Sequence, residues 1–189
     1  MKTNETKGSL MKRILKFIGC LALGCVGLTT LATTTQVADQ NELNAAVAAA
    51  AAGDVIEITA ADTYTMPNVP QNITIQAKAG VDVTFNCVGS GSICSVPNGA
   101  KLEGISFVFG NNSYHGWQHA GLMEFTNCSF DGLFFSYGDL RFEKCAFVQT
   151  TGEYLMWLYA NKTDFVDCTF TAQGKFFNIY NEGNATHGP

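Results

Sequence analysis

The hydrophobic positions in the second half of the chain follow one pattern four times. Apolar side chains fall at the second, fifth and seventh positions of residues 124–130, 141–147 and 164–170, and of a diverged copy, residues 101–107. This spacing is neither helical nor an unbroken alternation of a strand. Two short strands would produce this spacing if the corner between them changes which alternate positions point into the core.

The fourth position of each copy predicts a sharp corner. It is occupied in turn by Gly104, Asn127, Lys144 and Asp167. Gly, Asn and Asp tolerate a positive φ most readily, and a sharp corner often requires one. Lys144 is the poor fit to this pattern.

The spacing between the copies predicts a solenoid. The fifth positions, which are Ile105, Cys128, Cys145 and Cys168, are separated by 23, 17 and 23 residues. A period in the low twenties is typical of a solenoid with about one coil per repeat. A third apolar segment follows the two strands of each copy. We therefore predict an all-β fold, a right-handed single-stranded parallel β-helix of about five to six coils.

Stacking of equivalent positions defines the predicted core. Strands in successive coils lie about 4.8 Å apart, so each inward side chain meets its equivalent above and below. The predicted columns are Leu102, Phe125, Phe142 and Phe165; Ile105, Cys128, Cys145 and Cys168; and Phe107, Phe130, Phe147 and Phe170. The three cysteines are predicted to be buried thiols, because stacked side chains run parallel and are poorly aimed at each other.

The third strand of each coil carries the candidate binding surface. Alignment of the repeats predicts inward positions for Trp117, Leu133, Phe135, Leu155, Trp157, Phe177 and Ile179. The side chains predicted to point outward are Phe134, Tyr154, Met156, Leu158, Phe176 and Tyr180. A contiguous exposed apolar patch usually marks a binding surface, and aromatic rings stack on the apolar faces of sugars.

This outer face leads to the principal functional hypothesis. We predict an exported, non-catalytic, adhesin-like protein that binds a glycan or a surface protein and needs no cofactor. Tyr114 and His119 are predicted to rim a groove at one edge of the face. The alternative is that a loop, the tail of the chain or a second copy covers the face.

The N-terminal residues 1–32 have the features of a secretory leader. A basic segment, residues 12–16, precedes an apolar run, residues 17–28, and small residues follow at a suitable cleavage position. Met11 is a better start than the first methionine by this pattern, and Cys25 invites a lipoprotein interpretation. We predict a secreted or cell-surface protein, with an uncleaved anchor as the alternative.

Residues 33–53 are predicted to form a linker and a short helix. Asp39 or Asn41 can cap the helix, the alanines that follow favour it strongly, and Gly53 is a natural stop. The β-helix itself is assigned to residues 54–183.

The start of the β-helix resembles that of many secreted pectate-lyase-like β-helix proteins. The resemblance is carried by the helix and by Gly53-Asp54-x-Ile56-x-Ile58, Tyr64-Thr65 and Ile73-Thr74-Ile75. It implies that the helix plugs the open N-terminal end of the solenoid. It specifies architecture rather than activity, because this fold carries lyases, hydrolases, adhesins and coat proteins alike.

One outer wall of the β-helix carries alternating charge. Its predicted column is Lys101, Glu124, Arg141 and Asp164. Pectate-lyase relatives gather calcium-binding carboxylates and an arginine base on such a wall. The resemblance therefore implies an alternative function, a polysaccharide lyase or a fragment of one, with Arg141 as base and Glu124, Glu143 and Asp164 near Ca²⁺. The other interpretation is a solvated ladder of salt bridges, because interleaved cations leave no acidic cluster for a hard ion.

The net charge and the spacing of the cysteines limit which binding partners, disulfides and metal sites the sequence predicts. The formal net charge is -5, the pI is about 5.1, and no basic cluster follows the leader, which argues against nucleic acid. Cys87 and Cys94 enclose a loose loop and are the candidates for a disulfide. No histidine or second cysteine lies at ligand spacing from the stacked cysteines, so no metal site is predicted.

The end of the chain, residues 184–189, follows the last predicted strand without a second capping element. An uncovered coil would expose strand edges and a row of aromatic side chains. The sequence therefore predicts either self-association through that end or a chain that is part of a longer protein.

Overall fold

The computed structural model describes residues 31–87, 93–109, 116–149, 155–159, 162–175 and 177–179, all within one compact unit. These residues form a helix, α1 (Gln40–Ala49), and short strands that pair in parallel. The predicted leader, except for its last two residues, and the tail at 184–189 lie outside the described residues.

The strands, numbered in chain order, stack in three sheets. The first sheet contains β1 (Thr34–Val37), β2 (Val55–Ile58), β4 (Thr74–Ala77), β7 (Ala100–Glu103), β10 (Met123–Thr126), β13 (Leu140–Glu143) and β16 (Thr163–Val166). The second contains β3 (Asp62–Tyr64), β5 (Val83–Asn86), β8 (Ile105–Val108), β11 (Ser129–Asp131), β14 (Ala146–Gln149) and β17 (Thr169–Ala172). The third contains β6 (Ile93–Ser95), β9 (Gly116–Gln118), β12 (Phe134–Tyr137), β15 (Met156–Tyr159) and β18 (Phe177–Ile179).

The predicted fold class is confirmed. The three sheets wind into a parallel β-solenoid of about five coils, because each strand pairs with its equivalent one coil earlier and one coil later. The right-handed sense of the coil stays a prediction.

The corners between the first and second sheets are as the sequence predicts. Asn127, Lys144 and Asp167 have φ values of 53°, 54° and 53°, and Gly104 has a φ of 68°. The backbone N–H groups of Gly104, Asn127 and Lys144 each donate to a carbonyl of the next coil. Lys144 therefore adopts the left-handed conformation despite its side chain, because the ladder on either side fixes the corner.

Replacing Lys144 by asparagine is expected to stabilise the protein by about 0.5–1 kcal/mol. Asparagine adopts a positive φ more readily, and the ion pair lost with Lys144, from Nζ to Glu143 Oε1 at 3.6 Å, is exposed and contributes little. Denaturant unfolding of Lys144→Asn is compared with that of Lys162→Asn, which removes an exposed ion pair at a residue without a positive φ. Equal stabilities of the two variants would contradict the prediction.

The predicted core columns are also confirmed. In the first sheet Phe125, Phe142 and Phe165 stack with ring centroids 5.0 and 5.2 Å apart. In the second sheet the rings of Phe107, Phe130, Phe147 and Phe170 stack at 5.1, 4.8 and 4.9 Å. Phe85 and Tyr64 continue this second column towards the N-terminus. Stacked rings of one column meet the edges of the other column, which fills the interior densely.

Helix α1 starts where the sequence predicts and ends earlier. The Asp39 carboxylate accepts hydrogen bonds from the N–H groups of Asn41 and Glu42, at 2.8 and 2.9 Å. The helix ends at Ala49, ahead of the predicted stop at Gly53, because Asp54 binds the N–H of Ala51 and draws the chain towards β2. Its buried side chains, Leu43 and Val47, belong to the core. That the helix plugs the end of the solenoid stays a prediction.

The predicted inward and outward sides of the third sheet are wrong in part: Leu155 is buried as predicted, but several other positions are reversed. Phe134 and Met156 are completely buried and Leu158 is nearly so, whereas Phe135, 7% exposed, and the half-buried Trp157 do not belong to the main core cluster. Trp117 points inward as predicted, but its partner in β12 is Ser136 rather than Phe135. A register shift of one residue moves side chains to the opposite face of a strand.

Candidate functional site

The corrected outer surface of the third sheet, the aromatic face, consists of Phe135, Tyr137, Trp157 and Tyr159. Strands β12 and β15 pair these residues in register, Phe135 with Trp157 and Tyr137 with Tyr159. The rings of Tyr137 and Tyr159 stack with centroids 4.4 Å apart and an interplanar angle of 17°. Phe135 meets the Tyr137 ring edge to face at 5.8 Å. The face therefore carries a rigid aromatic strip.

Small and polar residues continue the aromatic face towards the N-terminus. Gly116 pairs with Phe135, and the Phe135 ring lies so close that a Cβ on Gly116 would be 2.9 Å from it. Phe135 is itself only 7% exposed, so little of its ring is open to solvent. Gln118 pairs with Tyr137 and is exposed, as is Ser95 one coil earlier. The strip thus borders on hydrogen-bonding groups.

The three predicted ligand-binding residues that the structure describes, Phe134, Met156 and His119, are all buried. Phe134 and Met156 lie in the core, where each is 0% exposed, so the prediction that they point outward is wrong. Tyr114, Tyr154, Phe176 and Tyr180 lie outside the residues whose side chains are described. The aromatic face was missed because sequence alignment placed Phe135 and Trp157 inside the solenoid.

His119 is buried beside a serine instead of rimming a groove. Its Nε2 lies 2.7 Å from the hydroxyl oxygen of Ser136, and its Nδ1 lies 2.7 Å from the carbonyl oxygen of Gly121. Because a carbonyl only accepts, Nδ1 carries the proton and donates, and Nε2 accepts from Ser136. A serine and an imidazole in this arrangement could act as nucleophile and base. Ser136 is 0% exposed and faces the core, so the pair serves packing rather than catalysis.

The pKa of His119 lies below its ordinary value of 6.5, because burial outweighs the hydrogen bond to Gly121 and the charge of Asp139. As the pH falls below 6.5, the unfolded chain takes up a proton at this residue before the folded protein does. The contribution of His119 to the free energy of unfolding is therefore complete above pH 6.5 and decreases below it.

We expect His119→Gln to reduce the loss of stability on acidification. Denaturant unfolding of wild type and variant is measured from about pH 7.5 to about pH 5, the range in which histidines titrate. Every other histidine and carboxylate titrates in both proteins, so the difference between the two curves reports His119 alone. Parallel curves of the free energy of unfolding against pH would show that the His119 imidazole does not cause the loss of stability on acidification.

The charged side chains of the wall form the predicted column, but its positive and negative charges pair with one another. Strand pairing places Lys101 beside Glu124, Glu124 beside Arg141, and Arg141 beside Asp164. Glu124 pairs with Lys101 at 3.0 Å, and Asp164 pairs with Lys162 at 2.8 Å. Glu143 pairs with Arg141 at 3.4 Å and with Lys144 at 3.6 Å. Each carboxylate of the lyase alternative thus has a cationic partner, and no three His, Cys, Asp or Glu side chains of the described residues converge on a metal position.

The predicted disulfide between Cys87 and Cys94 is not formed. Both are free, buried thiols, one directly after β5 in the second sheet and the other in β6 in the third sheet. The Cys94 thiol donates to the carbonyl of Met66 at 3.6 Å. Burial raises the pKa of Cys94 to about 11 and that of Cys87 beyond the usual range of thiols. Both thiols are therefore protonated at neutral pH.

A polar groove of about 390 Å³ lies at the corner between the first and second sheets. It exists because the loop between β4 and β5 is longer than the tight corners of later coils. Its lining includes the side chains of Glu57, Gln76, Lys78, Glu103 and Asn127. The Glu57 carboxylate accepts hydrogen bonds from Gln36 and Gln76 at 2.8 and 3.2 Å. This corner groove can bind hydroxyl groups but offers no aromatic ring for stacking.

No protein family, curated protein or solved structure matches this chain. The fold alone therefore assigns the chain to a class, that of parallel β-solenoids. The part of the chain that the structure describes contains no helix of the length and hydrophobicity that a membrane span requires.

Proposed function

We propose that this protein is an exported, non-catalytic β-solenoid of the pectate-lyase-like type that binds a glycan at a cell surface through its aromatic face. The observation that carries the proposal is the Tyr137–Tyr159 stack, at 4.4 Å, on the outer side of the third sheet. Aromatic residues at outward positions are not needed to fill the core, which other side chains already fill. A binding surface gives them a role.

The geometry of the stack favours a saccharide ligand. The rings of Tyr137 and Tyr159 already restrict each other, so little side-chain entropy remains to be lost when a ligand packs against them. The apolar side of a sugar ring matches an aromatic strip, and its hydroxyls match polar neighbours such as Gln118 and Ser95. A linear glycan lying along the solenoid axis would meet these residues in successive coils.

Export is supported by the N-terminal sequence. The basic segment, the apolar run and the small residues after it have the order of a secretory leader. The surface location of the protein is part of the same proposal, because cell-surface glycans lie outside the cytoplasm.

The lyase alternative has less support from the described residues. Calcium needs several carboxylate oxygens that converge without competing cations. Glu124, Glu143 and Asp164 each pair with Lys or Arg, so a calcium ion would have to displace three or more ammonium and guanidinium groups.

The proposal is tested with a glycan array and the full chain. Wild type is compared with Tyr137→Ala/Tyr159→Ala, which removes the stack, and with Gln76→Ala/Glu103→Ala, which alters the corner groove. We expect the tyrosine variant to lose binding by at least about tenfold and the groove variant to bind as wild type does. Sedimentation of the same samples reports their oligomeric state.

Each outcome of this test is informative. Binding that survives loss of the tyrosines and disappears in the groove variant would move the site to the corner groove. No glycan binding, together with a wild-type dimer that the tyrosine variant breaks, would replace the ligand by a second copy of the chain. Both results contradict the proposal as stated.

A further inference from the structure

Cys128, Cys145 and Cys168, the thiol column, occupy the same corner position on three successive coils. The strands that follow them, β11, β14 and β17, pair in register. Adjacent strands lie about 4.8 Å apart, and disulfides join residues whose Cα atoms are about 4.4–6.8 Å apart. Neighbouring thiols of the column are therefore within disulfide reach with little movement of the backbone.

Each sulfur of the column lies between its own coil and the coil before it, because the Cys145 and Cys168 sulfurs also lie 3.4 Å from the carbonyl oxygens of Glu143 and Val166 in their own coils. The Cys145 thiol donates to the carbonyl of Phe125 at 3.4 Å, and the Cys168 thiol donates to the carbonyl of Phe142 at 3.6 Å. Both acceptors belong to the coil that carries the preceding cysteine. The three residues are free thiols, as predicted, and the sulfurs of Cys145 and Cys168 lie between the coils that a disulfide would join.

Solvent exposure and thiol pKa differ along the thiol column. Cys128 and Cys145 are 3% and 1% exposed, whereas Cys168 is only half-buried. The neighbouring Cys128 side chain lowers the pKa of Cys145, against the opposing effect of burial. Burial raises the pKa of Cys128 and of Cys168. An external reagent therefore reaches Cys168 first, and Cys145 is the thiol of the column that ionises most readily.

We propose that Cys168 and Cys145 form a redox-active pair that a low-molecular-weight disulfide converts into an inter-coil disulfide, with Cys128 as a positioning residue. First, the Cys168 thiolate attacks the external disulfide, a mixed disulfide forms on Cys168, and one thiolate leaves. Next, the Cys145 thiolate attacks the Cys168 sulfur, the bond between the two cysteines forms, and the second thiolate leaves. Two protein thiols are oxidised, one external disulfide is reduced, and the two protons end on the released thiols.

The disulfide would join the last described coil to the one before it. Phe165 and Phe170 in this last coil are half-buried, whereas their equivalents Phe142 and Phe147 are buried. The last coil is therefore less well packed, and a covalent bond would oppose its local unfolding. We expect the oxidised protein to unfold at a higher temperature than the reduced protein.

Peptide mapping tests the pairing directly. The full chain is equilibrated with mixtures of reduced and oxidised glutathione at about pH 8, where the thiolate of Cys168 is better populated. Remaining thiols are then alkylated and the protein is cleaved with trypsin. Cleavage after Lys101, Arg141, Lys144, Lys162 and Lys175 places the three cysteines in separate peptides, residues 102–141, 145–162 and 163–175.

The expected product is peptide 145–162 joined to peptide 163–175, with the loss of two hydrogens, while peptide 102–141 stays alkylated. Glutathione that remains on Cys168 would overturn the proposal. So would a bond between peptides 102–141 and 145–162 that forms ahead of the expected one. This mapping uses the wild-type chain, so it does not depend on the folding of any variant.

Variants of Cys128 test its positioning role. Cys128→Ala removes the thiol next to Cys145 that lowers its pKa, and is expected to slow the second step about three- to tenfold, so that the mixed disulfide accumulates. Cys128→Ser keeps a donor and is expected to restore the wild-type rate. Cys87→Ser, which alters a buried thiol outside the column, is the control and should leave the rate unchanged. Equal rates for the alanine variant and wild type would overturn the role of Cys128.

Discussion

Gly132→Ala is expected to lower the free energy of unfolding by about 3–5 kcal/mol, which is among the largest effects of a single methyl group. Gly132 lies between β11 and β12 and has a φ of 100°, a conformation that L-residues rarely adopt. A Cβ at this position would lie 2.1 Å from the carbonyl oxygen of Phe109 in the coil before. Since the carbonyl oxygen is a backbone atom and the Cβ is fixed to the backbone, neither can rotate away. The two coils would have to move apart.

The control for this prediction is Gly80→Ala. Gly80 also has a positive φ, 78°, but a Cβ added there meets nothing within 4 Å. Its expected cost is about 1 kcal/mol, from backbone strain alone. Denaturant unfolding of the two variants separates the steric clash from the strain. Equal losses of stability would show that the contact between the coils at Gly132 is not rigid.

Phe130→Ala is expected to destabilise the protein by about 3–5 kcal/mol through the cavity it leaves. The Phe130 ring is completely buried and lies between its equivalents Phe107 and Phe147, at 5.1 and 4.8 Å. It also meets the edges of Phe125 and Phe142 from the first sheet. Stacked coils cannot collapse onto the vacancy independently, because each is held at the strand spacing of its neighbours.

Phe170→Ala is the matched control, since Phe170 occupies the same column in the last described coil. Its ring is half-buried, so its removal is expected to cost only about 1–2 kcal/mol. Thermal or denaturant unfolding of the two variants measures the difference. A Phe170→Ala protein as unstable as Phe130→Ala would mean that the last coil is packed as tightly as the middle of the solenoid.

The corners and two of the three sheets could be predicted because they repeat with fixed spacing. Within each copy the distance from Phe125 to Cys128 and from Cys128 to Phe130 is the same as in the other copies. One or two corner residues join the two strands, so no long loop intervenes between them. The inward columns and even the positive φ of Lys144 follow from that regularity.

The third sheet could not be predicted in the same way. The connections that lead into its strands differ in length from coil to coil, as the irregular spacing of the copies already indicates. Hydrophobicity does not show which residues of these strands point inward, because both faces carry apolar side chains. Phe134 and Met156 lie on one face, and Phe135 and Trp157 lie on the other. Backbone pairing places Trp117 opposite Ser136, and that single register decides which rings form the aromatic face.

The hydrogen bonds inside the core could not be predicted from the sequence either. His119 and Ser136 are separated by one full coil along the chain, and nothing in their local sequence pairs them. The corrected register brings Ser136 to an inward position beside the imidazole. The same register therefore removed two predicted ligand-binding residues from the surface and placed a hydroxyl in the interior.

The parallel solenoid, the positions of its tight corners and the side chains that stack in its first two sheets follow from the repeated local spacing of the chain. The outer face of the third sheet, the ion pairing of the charged wall and the position of the sulfurs in the thiol column become known from the folded structure. The outer face and the thiol column depend on the register between coils, which hydrogen bonding across the ladder sets. The ion pairs of Arg141, Lys144 and Lys162 lie within one coil and depend on side-chain conformation.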